Sequence, residues 1–317
     1  MKNKVALVLG ATGGIGGEVT RKLIESGWQV KALIRHKDSS PQIPGITWLQ
    51  GDAMNSADVI RAAEHTDLIV HAVNPPGYKN WGDLVLPMID NTILAAKKSG
   101  ARILLPGTIY NYGAHAPALL SEDTPQEPTT RKGRIRKQLE EKLYHASTDG
   151  VRVLIVRCGD FYGPRPGNNW FSQGMITPGR TVKIITNPAR KGVGHAWAYL
   201  PDVATTMVLL AEQEERLGSY ETFHFGGNWD FDGKQMTAAI SHAVGTPTKV
   251  RSAPWMLFAT LSPFVVLFRE LLEMRYLWQR PYQLDNRRLI EFLGHEPGTP
   301  LPQAVETTLR GLGCIRS

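Results

Sequence analysis

Eight residues near the N-terminus constrain this chain more than any others: Gly10-Ala11-Thr12-Gly13-Gly14-Ile15-Gly16-Gly17. They follow an apolar run of strand length, Val5–Leu9, and open a segment of helical spacing at about residues 15–26. A strand that turns at once into a helix needs a tight turn and a helix lying close to the strand. Glycine meets both needs, because it lacks a Cβ and tolerates positive φ. Such a turn also aims backbone N–H groups and the positive end of the helix at an anion, and a pyrophosphate fits that arrangement. Glycines 10, 13 and 16 then serve the turn, the close backbone approach and the helix–sheet packing. The plain alternative is a strand–helix turn with no ligand; the position directly between strand and helix argues against it.

Further apolar runs occur at residues 30–34, 47–50, 68–71, 102–105 and 151–156, with helical segments at about 84–98 and 130–145. Apolar strands without polar alternation, separated by helices, predict a parallel sheet covered on both faces. The expected fold is therefore α/β, a doubly wound parallel sheet of the Rossmann kind, whose ligands sit beyond the carboxyl ends of the strands. After residue 156 the texture changes. Residues 159–188 are rich in Gly, Pro, Asn and aromatics and read as loop with short elements, and the chain from about 229 reads as helical with many prolines. The expected division is a dinucleotide-binding domain at 1–160 and a smaller, mainly helical substrate-binding part at 161–317, with 193–225 returning to the sheet.

Hydrophobic residues at 42% and charged residues at 21% exclude a disordered or low-complexity chain. Two cysteines, Cys158 and Cys314, exclude a disulfide framework and suit a reducing compartment. The five-residue apolar run at the start is too short for a signal peptide, so a cytoplasmic location is expected. Residues 255–268 are apolar but broken by Pro263, short of the ~20 a spanning helix needs. They read as a core or lid helix, with surface contact to a membrane as the lesser alternative and no stable insertion. The nine histidines form no metal-ligand spacing, and no Gly-x-Ser-x-Gly elbow occurs, so neither a metal nor a serine nucleophile is expected.

The spacing G-x-x-G-x-x-G, with Gly51-Asp52-Ala53 after the third strand, resembles the short-chain dehydrogenase/reductase superfamily. Later blocks resemble its extended branch, the NAD-dependent epimerase/dehydratase family. These are Arg157-Cys158-Gly159-Asp160-Phe161-Tyr162-Gly163-Pro164, then His195-Ala196-Trp197-Ala198-Tyr199-Leu200-Pro201-Asp202-Val203-Ala204. A tail with Phe292-Leu293-Gly294-His295-Glu296-Pro297 completes the set. The resemblance implies that Gly10, Thr12, Gly13, Gly14, Ile15 and Gly16 hold the cofactor phosphates. It implies Asp52, beside Ala53, at the adenine amino group, and Ala72-Val73-Asn74 beneath the cofactor. NAD-preferring members carry an acid at the end of the second strand; here Arg35 stands in that stretch and no acid does. A guanidinium suits a 2′-phosphate that a carboxylate would repel. The segment is similar to that of dihydroflavonol-reductase-like members, so NADP is expected in preference to NAD. A solvated arginine is the alternative.

In this family a hydroxyl residue, then a Tyr-x-x-x-Lys pair on a helix, performs the proton chemistry. Gly107-Thr108-Ile109-Tyr110-Asn111-Tyr112-Gly113 resembles the first part, which gives Thr108 the hydroxyl role. Counting back from Glu140, Lys132 stands in the Tyr slot and Arg136 in the Lys slot. A slipped alignment is the lesser alternative, and against it no tyrosine lies between Tyr112 and Tyr144, and Tyr144 is followed at +4 by Thr148. Either another group supplies the proton, Tyr110 if its stretch is extended or Lys132 itself, or the chain is an NADP-holding regulatory or redox-sensing binder. For an enzyme, the resemblance implies an NADP-dependent oxidoreductase or an epimerase-like enzyme, acting on a small carbonyl or sugar-like substrate.

Residues 131–142 hold six basic and two acidic residues, within a chain of net charge +7. That cluster is either a solvated helix face or a cleft drawing an anionic small-molecule substrate. Nothing resembles a nucleic-acid recognition element. Trp170, Trp197, Tyr199 and Trp229 lie where relatives line the substrate cleft, with core packing as the alternative. Many relatives are dimers, so a homodimer is the implied assembly.

Overall fold

A computed structural model of the protein describes residues 4–36, 43–75, 80–165, 167 and 169–315. The chain divides into two compact units of three segments each. The first comprises 1–107, 134–157 and 203–223; the second comprises 108–133, 158–202 and 224–317. Residues 108–133 and 158–160 thus lie outside the unit built by the rest of the N-terminal 160 residues, and of the stretch 193–225 expected to return to it only 203–223 do so. With elements numbered along the whole chain, the first unit holds strands β1 (Val5–Leu9), β2 (Gln29–Ile34), β3 (Ile46–Gln50), β4 (Leu68–His71), β5 (Arg102–Thr108), β7 (Val153–Cys158) and β11 (Tyr220–His224). Its helices are α1 (Gly14–Glu25), α2 (Ser56–Ala62), α3 (Trp81–Ser99), most of α4 (Arg131–Thr148) and most of α5 (Leu200–Glu212). A few terminal residues of β5, β7, β11, α4 and α5 fall in the second unit.

The seven strands form one sheet in the order β11-β7-β5-β4-β1-β2-β3. The pairs from β3 to β5 are parallel. The inner strands β4 and β7 are buried at every position, and β5 at all but its last, which explains their unbroken apolar sequence; β3 at the edge is half exposed. β1 is the strand from which the order runs both ways. Register places Leu9 of β1 level with Leu33 of β2 and His71 of β4, and Ile34 level with Gln50 of β3. The carboxyl ends of four adjacent strands therefore finish together at the crossover, where ligands of doubly wound sheets bind.

Charge is also buried in this unit. The Arg157 guanidinium at the end of β7 donates both terminal nitrogens to the Glu140 carboxylate of α4, at 3.0 and 2.7 Å. Both side chains are almost fully buried.

In the second unit β10 (His195–Tyr199) pairs with β8 (Asp160–Tyr162) in parallel and with β12 (Asn228–Asp230) antiparallel. Two further parallel pairs are β9 (Ile184–Asn187) with β13 (Lys249–Ser252), and β6 (Leu119–Leu120) with β14 (Gln283–Leu284). The helices are α6 (Gln235–Val244), α7 (Trp255–Leu261), α8 (Val266–Glu273), α9 (Arg287–Leu293) and α10 (Leu301–Gly311). Trp170, Trp197 and Tyr199 are buried in the core of this unit, and Trp278 stacks on His195 at 3.7 Å. The loop-like and helical textures expected beyond residue 158 therefore conceal short strands, too brief to show a period. The apolar stretch expected as one helix is two, α7 and α8, interrupted at Pro263, whose ring permits no helical N–H bond. In the tail, Glu296 accepts the N–H groups of Gly226 and Gly227 at 2.7 and 2.9 Å.

Removing one partner of a buried ion pair leaves the other uncompensated. Glu140→Ala should cost ~3–5 kcal/mol in urea denaturation, and the Glu140→Leu/Arg157→Leu double variant clearly less than either single change.

Candidate functional site

Every residue expected to hold a cofactor belongs to the first unit. Gly10 has φ +93°, and a Cβ there would stand 2.6 Å from the Ala72 carbonyl oxygen just past β4. A Cβ on Gly16 would stand 2.2 Å from the Gly10 oxygen. Neither position admits a side chain. The Gly13 N–H closes the turn on the Gly10 oxygen at 2.9 Å, and the Gly17 N–H donates to the Gly13 oxygen at 2.8 Å. Thr12 and Gly13 are exposed at the tip while Gly16 is buried. α1 has no side-chain cap and no acid in its first turn, so no carboxylate of its own neutralises the positive end of the helix. This cradle fits a dinucleotide pyrophosphate.

Arg35 follows Ile34 at the end of β2 and is exposed. Asp52 lies two residues past β3, where its carboxylate accepts the Met54 N–H at 2.9 Å and its own N–H donates to Asp58 at 3.0 Å. That hydrogen bond, and then Arg61, hold the Asp58 carboxyl below its ordinary value. Asn91 of α3 donates to the Ala53 oxygen at 2.8 Å. Ala72, Val73 and Asn74 continue from β4, becoming exposed at Asn74. Arg136 is in the same unit, with its guanidinium carbon 5.1 Å from the centre of the Trp81 ring, a cation–π contact that orients it.

His71, the last residue of β4, is buried. Its Nδ1 lies 2.8 Å from the Thr92 hydroxyl, which itself donates to the Met88 oxygen at 3.0 Å. The hydroxyl proton is thereby engaged, so the hydroxyl accepts from His71 and the neutral ring carries its proton on Nδ1. Burial, and then the Arg136 charge, push the His71 pKa down to about 3.

The remaining candidates belong to the second unit. Thr108 caps a single turn of 3₁₀ helix, Ile109–Asn111, its hydroxyl accepting the Tyr110 N–H at 3.3 Å and approaching the Asn111 side-chain oxygen at 3.4 Å. Tyr110 is therefore not on an extended strand, and the condition for its sharing a face with Thr108 in strand geometry is not met. Its ring packs at the side of the cluster of Ile109, Tyr112, Leu277 and Tyr282. Gly133 at the head of α4 comes so close that a Cβ would stand 2.3 Å from the Tyr110 oxygen.

Lys132 is 0% exposed. Its ammonium bonds the Glu270 carboxylate, Glu273 at 2.7 Å and the Glu270 backbone oxygen at 3.2 Å, all on α8. Its backbone N–H also donates to Glu273 at 2.8 Å. Three acceptors around three N–H donors make this ammonium an anchor for α8. Burial raises the Glu273 carboxyl, but the hydrogen bonds and charge of Lys132 outweigh it and hold the group below its ordinary value. Much of the basic cluster is neutralised in the same way: Arg131 pairs with Glu270, Lys137 with Glu141 and Lys142 with Asp90. An anion-attracting cleft built from the whole cluster does not follow.

Sequence reasoning missed Glu270 and Glu273, Trp81, and Thr92. Glu270 and Glu273 stand at i, i+3 and so share a helix face, but nothing local names a lysine 138 residues away as the partner of Glu270.

The chain matches the family described as NAD(P)H-binding over residues 10–182, more than half its length. A curated Arabidopsis thaliana protein, named probable pinoresinol-lariciresinol reductase 3, is 26% identical over 166 residues, covering 50% of this chain and 48% of that protein. The match thus spans about half of that relative. A Synechocystis protein provisionally named dihydroflavonol 4-reductase is 23% identical over 78% of this chain and 75% of its own. Among solved structures, UDP-glucose 4-epimerase from Bifidobacterium longum in complex with NAD+ and UDP superposes with a TM-score of 0.74 at 16% identity. It covers 97% of this chain and 98% of that one. The fold is that of the extended short-chain dehydrogenases/reductases.

Two results are expected from pH-dependent urea denaturation. In Lys132→Met the half-buried Glu273 loses its cation and the buried Glu270 keeps only Arg131, so the variant should lose ~3–5 kcal/mol at pH 7.5. Glu273 stabilises the wild type above its ordinary pKa of 4.5 and ceases to do so as pH falls. In the variant Glu273 has lost that cation, so the two stabilities should converge only below pH 4.5, as the wild-type Glu273 is protonated too. Separately, His71 is neutral in the fold but protonates near 6.5 when unfolded. It should remove up to ~4 kcal/mol between pH 6.5 and 3, a slope that His71→Gln should abolish.

Proposed function

The chain belongs to the NAD(P)H-binding family, and on that premise we propose that it is an NADP-dependent oxidoreductase acting on a small carbonyl or sugar-like substrate. The observation that carries this reading is the cradle at Gly10 and Gly16, where only bare backbone fits and the first turn of α1 holds no competing acid. When bound, the nicotinamide supplies the hydride that converts a carbonyl to an alcohol. The remaining work falls to this chain's residues. Backbone N–H groups between Thr12 and Ile15, with Gly14, bind the pyrophosphate. Arg35 pairs with the 2′-phosphate, and its exposed guanidinium at the end of β2 supports that role. Asp52 accepts from the adenine amino group. Arg136, oriented by Trp81, keeps the binding half of the family lysine's role, since a guanidinium stays charged at every working pH. Thr108, whose hydroxyl caps the 3₁₀ turn that follows β5, polarises the substrate oxygen. With the Lys132 donors all bonded to α8, Tyr110 is the remaining candidate for the proton that the substrate oxygen gains, reached from its 3₁₀ turn and not from a strand face shared with Thr108.

Lys132 is not kept as proton donor in this proposal. It is a positioning residue that holds α8 by its two carboxylates. The same observation favours a second reading, an NADP-holding regulatory protein, because the family's Tyr slot has been given over to a buried anchor.

Fluorescence titration with NADPH and NADH, followed by a panel of carbonyl substrates, separates the readings. Arg35→Ala should weaken NADPH binding about ten- to a hundredfold and leave NADH little changed. Thr108→Ala and Tyr110→Phe should each slow turnover at least about a hundredfold. Tight NADPH binding with no turnover across the panel would favour the regulatory reading. Equal NADPH affinity in wild type and Arg35→Ala would remove Arg35 from the site.

A further inference from the structure

The helical pair α7–α8 has two unlike faces. Inward, Trp255 and Leu271 pack on the core of the second unit, Phe258 stacks on Phe268 at 4.8 Å, and Glu270 meets Lys132. Outward and at the turn, Phe264 is 85% exposed and Met256 77%, with Leu257, Leu261, Val265 and Val266 also exposed. Apolar side chains this open and this close in sequence mark an interaction surface.

Charge says which kind. The base of α7 is tied to the β9–β13 pair: the Ala253 N–H donates to the Asn187 oxygen at 2.8 Å and Trp255 Nε1 to the Pro188 oxygen at 3.1 Å. That pair exposes Lys183, Lys249 and Arg251, and α8 adds Arg269. The two stretches that build this region, residues 177–191 and 235–269, contain seven lysines and arginines and no Asp or Glu. Each of the seven is exposed. An apolar tip flanked by exposed cations, with the α8 acids Glu270 and Glu273 turned to Lys132, in a chain of net charge +7, complements an interface that is apolar within and anionic at its surface. No helix among the described residues is long and apolar enough to cross a membrane, so contact with lipid would be peripheral.

We propose that the α7–α8 turn docks the protein reversibly on an anionic lipid surface, Phe264 and Met256 entering the acyl boundary and the β9–β13 cations meeting the headgroups.

Vesicle co-sedimentation tests this with phosphatidylcholine alone and with phosphatidylcholine mixed with phosphatidylglycerol at roughly three to one. Wild type should pellet with the mixed vesicles, far less with the neutral ones, and progressively less as salt rises. Met256→Asp/Phe264→Asp should reduce binding at least about tenfold. Lys249→Glu/Arg251→Glu should reduce it at least about twentyfold, each cation contributing roughly fivefold. All four positions are exposed, and melting followed by circular dichroism checks that the variants fold. Failure of the wild type to pellet with anionic vesicles, or undiminished binding by folded variants, would overturn the proposal. So would concentration-dependent self-association that Met256→Asp/Phe264→Asp abolishes while vesicles capture nothing, since the face would then join two copies of the chain.

Discussion

The backbone of Gly10 lies against the backbone just past β4, and much of the first unit is organised around that contact. A Cβ at residue 10 would meet the Ala72 carbonyl at 2.6 Å and the Val73 nitrogen at 2.8 Å. To accommodate it, β1 and β4 would have to part at the crossover of a parallel sheet, where both strands are buried. The same close approach lets α1 begin within a few residues of β1, because Gly16 tolerates the Gly10 oxygen at a distance no side chain could. Helix start, strand register and phosphate cradle are thus one constraint. A position needing positive φ and no side chain also brings exposed N–H groups to the carboxyl edge of the sheet.

Buried charge is the second organising theme, and it answers to a different rule. A charge removed from water must be met by an opposite charge and by hydrogen bonds. Arg157 with Glu140 and Lys132 with Glu270 and Glu273 meet that demand with matched donors and acceptors. The two basic residues at 132 and 136, one helical turn apart on α4, differ for this reason. Arg136 lies over an indole face, a cation–π contact that leaves the guanidinium charged. Lys132 is sealed, and its donors are directed to carboxylates of α8. Equal charge in sequence has become a cation resting on an indole in one case and a structural anchor in the other.

Local features of the sequence carry the sheet and its cradle. Strands β4 and β7 are unbroken apolar runs because they are buried on both faces, and the glycines at 10 and 16 are spaced as one strand–helix turn requires. Arg35, Asp52 and Ala72 could be placed from sequence because each follows a strand end, and parallel strands in register align those ends. The strand pairs of the second unit were not readable. β6 and β14 are two residues each and pair across more than 160 positions, and a period of two cannot show itself in two residues.

The sequence by itself determined the fold class, the position of the glycine turn and the placing of two basic residues one helical turn apart at 132 and 136, since each is written in neighbouring residues or fixed spacing. Only the tertiary structure decided what those two residues became. Whether a lysine donates to a ligand or to Glu270 and Glu273, and whether an arginine rests on Trp81, depends on partners far along the chain. Local sequence fixes backbone geometry through sterics that act over a few residues. The availability of a charged side chain depends on burial and on the nearest opposite charge, and folding alone sets both.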